Sequence, residues 1–160
     1  MILEAPHKNL FVAAEPQGGI LTALFAENYP LKILIAEDDM INQKLIENIL
    51  RRLGYHTDTV SNGIQALELL KKKAYNVILM DVRMPEMGGF ETTQAIRRMK
   101  IEQPYIIAMT ANAMPSDREE CLNIGMNDYI AKPMKMAEII KTLTNAATYI
   151  TEKREIMQIN

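Results

Sequence analysis

At 160 residues the chain is long enough for one ordinary domain and a little more, and its 48% hydrophobic and 24% charged residues are those of a soluble globular protein. A net charge of −2 argues against non-specific nucleic-acid binding, and the single Cys121 excludes an internal disulfide and a cysteine-based zinc site. No apolar run approaches the roughly 20 residues needed to span a bilayer, and the N-terminus lacks the basic region and apolar core of a signal peptide, so a cytoplasmic location is expected.

Residues 1–30 are interrupted by Pro6, Pro16 and the Gly18-Gly19 pair. Ile20 to Ala26 has room for about two turns of helix before Pro30. The segment reads as a linker or short N-terminal extension, the alternative being a short helix packed on the domain or on a partner. His7 stands in it without metal-ligand company.

From Lys32 the pattern becomes regular. Ile33 to Ala36 is a wholly apolar run ending in Glu37-Asp38-Asp39. Ile41, Leu45, Ile46, Ile49, Leu50 and Leu53 then recur at helical spacing, with Asp39 placed to cap the helix and Gly54 to end it. His56 to Val60 alternates as an edge strand would, with His56 facing solvent. Asn62 caps a second helix that turns Ala66, Leu67 and Leu70 inward, and Lys71, Lys72 and Lys73 sit favourably at the negative end of its dipole. Val77 to Met80 is a second buried strand with Asp81 at its carboxyl end, followed by a turn containing Pro85, Gly88 and Gly89.

Phe90 to Met99 is a third amphipathic helix, and Tyr105 to Met109 another buried strand running into Thr110-Ala111-Asn112. Ser116 and Glu119 have the spacing of a capping box for a short fourth helix, which Gly125 ends and in which Cys121 reads as a buried structural thiol. Asp128 to Ala131 is a fifth strand terminating in Lys132-Pro133, and a last helix carries Ile139, Ile140, Leu143 and Ala147 on one side. Residues 148–160 are a C-terminal tail or an extension of that helix. Strands alternating with helices at these lengths make an α/β fold with a doubly wound parallel sheet.

Four of the expected strands end in polar groups: Glu37 and Asp38, Asp81, Thr110, and Lys132. In an open α/β sheet these positions converge at the carboxyl edge, where ligands bind. Three carboxylates held together repel unless a cation compensates them, and oxygen ligands without His or Cys select a hard ion, Mg²⁺ above others. The three acids, one lysine and one Mg²⁺ carry roughly zero net charge, so the site can admit a phosphoryl group. A carboxylate in that setting can attack phosphorus to give an acyl phosphate, with Thr110 and Lys132 binding phosphoryl oxygens.

The segments ILIAEDDMINQKL, NVILMDVRMPEMGGFE, YIIAMTANA and GMNDYIAKPM resemble the receiver domain of two-component response regulators, most of all the receivers carried by hybrid sensor histidine kinases. The resemblance covers residues 31–147. It implies a five-stranded flavodoxin-like receiver fold with strand order 2-1-3-4-5. It further implies Asp81 as phosphoacceptor, Mg²⁺ held through Glu37, Asp38, Asp81 and the backbone carbonyl of Arg83, and a cis Lys132–Pro133 bond. Thr110 and Tyr129 would form the switch, and Ile41, Asn42 and Leu45 would be the docking face for a histidine phosphotransfer domain. One feature differs from the commonest pattern, the acidic pair being Glu-Asp rather than Asp-Asp.

The expected partners are a histidine kinase, a histidine phosphotransfer domain or both, with no nucleic acid and no membrane contact, and with a weak homodimer through the fourth helix, fifth strand and fifth helix of the domain. This implies a phosphoacceptor rather than an enzyme, either cut from a hybrid kinase or acting as a stand-alone regulator. A receiver-like module that never takes up phosphate is the rival from another class, but such modules usually lose residues that are all present here. A phosphohydrolase of the haloacid-dehalogenase type needs a second Asp two residues after the nucleophile, where this chain has Arg83, and the GxxxxGK[ST] loop of a Walker-type ATPase is absent.

Overall fold

A computed structural model describes residues 24–111 and 114–159. Most of the N-terminal segment, including His7 and the first part of the helix expected over Ile20 to Ala26, lies outside them, as does Asn112. The elements in chain order are α1 (Phe25–Asn28), β1 (Ile33–Ala36), α2 (Met40–Arg52), β2 (Asp58–Val60), α3 (Gly63–Leu70), β3 (Val77–Asp81), α4 (Gly89–Arg98), β4 (Tyr105–Thr110), α5 (Pro115–Ile124), β5 (Asp128–Ala131) and α6 (Met136–Ile159).

All five strands are parallel, in the order β2-β1-β3-β4-β5, so the edge position expected for the second strand is observed. β1, β3 and β4 are buried on both faces, which is why each reads as an unbroken apolar run. Alternate residues feed two cores. Ile33, Ile35, Val77, Leu79 and Ile107 face α2 and α6, with Ile46, Leu50, Ile139 and Leu143 packed on them. Leu34, Ala36, Ile78, Met80 and Ile106 face the other helices, meeting Ala66, Leu70, Ile96 and Cys121. Continuing that alternation by one step puts Glu37 and Asp81 on a common side just beyond the last apolar layer.

The helix ends follow from local chemistry. Asp39 accepts from the amides of Ile41 (2.7 Å) and Asn42 (3.1 Å), and Asn62 accepts from Gln65 N at 2.9 Å, so both expected caps form. Gly54 and Gly125 close their helices with φ of +97° and +119°, a conformation that costs a side-chain-bearing residue energy. The capping box expected from Ser116 does not form. The helix starts one residue earlier at Pro115, whose missing N–H is no loss at a first helical position and whose fixed φ suits it. The last helix continues without a break through residue 159. At the other end of the chain, Phe25 is buried against the rings of Tyr29 and Tyr55, and Ala26 N donates to Leu53 O at 2.9 Å.

At the amino end of the sheet, Asp58 accepts a hydrogen bond from the Tyr75 hydroxyl and pairs with Lys73 Nζ at 2.9 Å. The Tyr75 bond first, and then Lys73, hold the Asp58 carboxyl below its ordinary range. A carboxyl group with a depressed folded-state pKa adds stability above its unfolded pKa, and that stability is lost as pH falls through the folded value. Asp58→Asn is therefore expected to lower the melting temperature at pH 6–7 (roughly, above the ordinary range of an Asp carboxyl), with the deficit closing as acid protonates Asp58 in the wild type. Paired melting curves along a pH series check this, and a deficit constant with pH would refute it.

Candidate functional site

β1 and β3 are adjacent and in register, Ala36 opposite Met80, so the residues that follow them are neighbours. Carboxylate oxygens of Glu37, Asp38 and Asp81 all lie within 4.8 Å of one another. Asp38 is exposed, while Glu37 and Asp81 are buried. From β5, Lys132 extends its ammonium between the two buried acids, 2.9 Å from Glu37 Oε1 and 3.0 Å from Asp81 Oδ2. Its own amide donates to Thr110 O at 2.8 Å, which ties the ends of β4 and β5 together beside the acids. Thr110 lines the same open cleft of about 680 Å³ as Glu37, Asp38, Asp81, Arg83 and Lys132.

The electrostatics follow from burial. Loss of water pushes the Glu37 carboxyl up to about 7 even though Lys132 and the Asp39 amide pull it down, and Asp81 adds to the rise. Burial also opposes charge on Lys132, but hydrogen bonds and attraction from Glu37 and Asp81 outweigh it and raise its pKa. Asp81 Oδ1 accepts from Arg83 N at 3.2 Å, and Glu37 Oε2 accepts from Asp39 N at 3.1 Å. Glu37 Oε1, fully buried, meets the Lys132 ammonium at 2.9 Å in an ion pair. A buried carboxylate oxygen left this way beside two more acids is suited to a hard divalent cation with oxygen ligands.

The expected site residues divide into three groups. Glu37, Asp38, Asp81, Arg83, Thr110 and Lys132 share the cleft, and Asn42 lines it from α2. Tyr129 does not reach it. Half-buried on β5, it lines a separate cavity with Tyr105 and Glu138, under the Arg118 guanidinium 5.5 Å from its ring centre. Ile41 and Leu45 point away from the core, Ile41 being 81% exposed, so the apolar spacing of α2 conceals an outward-facing pair. The Lys132–Pro133 bond is cis.

Two supporting residues are not apparent as such in the sequence. Gln43 donates its side-chain amide to Glu37 O and reaches Ser61 Oγ at 3.4 Å, bracing the acidic loop, and no local pattern marks it. Gly89 packs directly on the backbone of Asp81, its position marked only as part of a turn.

A five-stranded doubly wound parallel sheet with three clustered carboxylates, a lysine and a threonine in a cleft at its carboxyl edge defines an α/β domain with a candidate divalent-cation site. The chain belongs to the response regulator receiver domain family, whose sequence profile matches residues 33–144. It is similar to hybrid signal transduction histidine kinase B of Dictyostelium discoideum, 44% identical over an alignment of 121 residues, with 68% of this chain and 6% of that protein covered. Among solved structures it is similar to the receiver domain of sensor histidine kinase PA1611 from Pseudomonas aeruginosa PAO1, which has a magnesium ion coordinated in its active-site cleft (44% identity, TM-score 0.68, 74% of this chain and 98% of that one). It is also similar to a chain in the co-crystal structure of the Saccharomyces cerevisiae phosphotransfer protein Ypd1 with the receiver domain of Ssk1 (28% identity, TM-score 0.68, 74% and 89% covered). The chain spans no more than 27% of the length of the first curated relatives it matches.

Proposed function

We propose that Asp81 accepts a phosphoryl group from a phosphohistidine, with Mg²⁺ held by Glu37, Asp38, Asp81 and the Arg83 carbonyl. Bound there, Mg²⁺ supplies positive charge against the acids and the incoming phosphoryl oxygens. An Asp81 carboxylate oxygen forms the new bond to phosphorus as the bond to the histidine nitrogen breaks, and the imidazole leaves with the electron pair and takes up a proton. Lys132 binds a phosphoryl oxygen through its ammonium and Thr110 through its hydroxyl. The observation that carries this reading is Lys132 placed within 3.0 Å of both buried acids in a cleft that also holds Thr110. Incubation with acetyl phosphate tests it. Label is expected on Asp81 only when Mg²⁺ is present and is expected to vanish in Asp81→Asn; label on that variant, or label in chelator, overturns the reading.

On phosphorylation Thr110 moves toward the phosphate and Tyr129 turns inward, shifting the surface of α5, β5 and α6 between two populations, the same surface through which a weak homodimer would form. The receiver unit spans 31–147, in a cytoplasmic setting, with residues 1–30 joining it to preceding kinase domains of a longer hybrid protein. The chain's likeness to a small part of hybrid signal transduction histidine kinase B and to the receiver domain of sensor histidine kinase PA1611 supports that context. Donor and next acceptor are then the kinase's histidine and a phosphotransfer domain, docking on Ile41, Asn42 and Leu45. Ile41→Asp is expected to slow transfer from a phosphorylated phosphotransfer domain about tenfold while leaving acetyl phosphate labelling unchanged, since a central apolar anchor carries more than its share of binding energy. Equal slowing with both donors would place Ile41 in the site instead.

A further inference from the structure

The acids of the cleft do not stop at the metal site. Among the described residues, seven carboxylates line it, the outer ones being Asp39, Glu91 at the start of α4, and Asp117 and Glu120 on the first turns of α5. Arg83 and Lys132 are the cations that face them. A bound divalent ion therefore leaves the cleft net negative, although the inner site alone comes close to neutrality. The outer field reaches the lining: burial first, and then Glu120 and Asp117, push up the pKa of the Cys121 thiol, which borders the same cleft. Glu91 and Glu120 line the cleft, are exposed and take part in no ion pair among the described residues, so no close cation offsets their charge there.

Resting on Asp81 as phosphoacceptor, we infer that Glu91, Asp117 and Glu120 form an electrostatic filter that slows free anionic phosphodonors and favours phosphohistidine presented on a basic surface. A small dianion must cross this rim with its charge uncompensated. A donor bearing lysine or arginine around its histidine brings the neutralising charge with it, and the same rim then steers it in. Such a filter costs nothing in the chemistry, because the rim acids lie outside the group that binds the phosphoryl oxygens.

The test compares wild type with the triple variant Glu91→Gln, Asp117→Asn, Glu120→Gln in Mg²⁺. At low ionic strength the triple variant is expected to be labelled by acetyl phosphate about three- to tenfold faster, from three charges acting near a Debye length. Added KCl should speed the wild type toward the variant's rate and leave the variant little changed. With phosphohistidine peptides the wild type should prefer one flanked by lysines to one flanked by glutamates, and the variant should lose that preference. Equal acetyl phosphate rates, or a peptide preference that survives in the variant, would overturn the filter. Absence of label on Asp81 in the wild type would instead remove the phosphoacceptor reading on which it rests.

Discussion

Lys132→Ala is expected to destabilise the protein by about 3 kcal/mol in chelator and to regain most of that loss when Mg²⁺ is added. The reason is the two acids it serves. Lys132 is 2.9 Å from Glu37 and 3.0 Å from Asp81, both buried, with only 21% of its own side chain exposed. Removing one partner of a buried ion pair leaves an uncompensated charge, at a cost of about 3–5 kcal/mol. The lower end applies here, because the Glu37 carboxyl, already held near 7 by burial, takes up a proton once the lysine is gone. A divalent cation offers a second way to compensate the acids. The variant's melting temperature should therefore rise more with Mg²⁺ than the wild type's, as expected for a ligand bound by the folded state alone. Labelling of Asp81 should still fall by about a hundredfold or more, since the metal does not replace the ammonium on the phosphoryl oxygen. Lys132→Arg should restore stability better than labelling, because it returns a positive charge beside the acids without the compact ammonium that labelling requires. Equal Mg²⁺-induced shifts in wild type and Lys132→Ala would show that lysine and metal do not share the same carboxylates.

The parts of this molecule that are legible in its sequence are those governed by neighbours along the chain. The runs Ile33 to Ala36, Val77 to Met80 and Tyr105 to Met109 announce buried parallel strands because both faces of each must be apolar. Asp39 and Asn62 announce their helices because a cap acts over three residues. The acids, threonine and lysine of the cleft stand out because a polar group directly after such a run sits at the sheet's carboxyl edge. Interactions between distant segments leave no such mark. Arg97 is half-buried yet donates to Gly125 O, Pro104 O, Gln103 Oε1 and Asn127 Oδ1 at 2.8–3.0 Å, clamping the end of α4 to the loops before β4 and β5. In the sequence it is one more charge in a helix's last turn. The complete burial of Glu37 is hidden for a similar reason: its place after a strand marks the sheet's carboxyl edge, but whether water reaches it depends on residues distant along the chain. At Ser116 two local signals compete, and the proline beside it decides where the helix begins.

Gly89→Ala should cost about a hundredfold in the rate of Asp81 labelling and about 1–3 kcal/mol in stability, although the added methyl touches no charged atom. A Cβ built at Gly89 would lie 2.3 Å from the main-chain oxygen of Asp81 and 3.0 Å from Val82 Cα. Neither is the end of a flexible side chain, so the backbone carrying Asp81 must retreat or the first turn of α4 must lift. Lifting the turn would break the bond from Gly89 N to Val82 O, 2.9 Å long, that seats the helix on the strand end. Retreat moves Asp81 relative to Lys132 and the two other acids, and a displacement of about 1 Å at a reacting group is enough for a loss of that size. Gly88 supplies the control. Its φ of −79° suits any residue, and a Cβ there would meet only Val82 O at 3.2 Å. Gly88→Ala should therefore stay within about threefold of the wild-type labelling rate, a cost below 1 kcal/mol. The measurement is the labelling rate of the two variants beside their melting temperatures. A Gly89→Ala protein that melts lower but labels normally would show that α4 supports the fold without positioning the acceptor, whereas a loss of labelling larger than the loss of folded protein assigns it that positioning role.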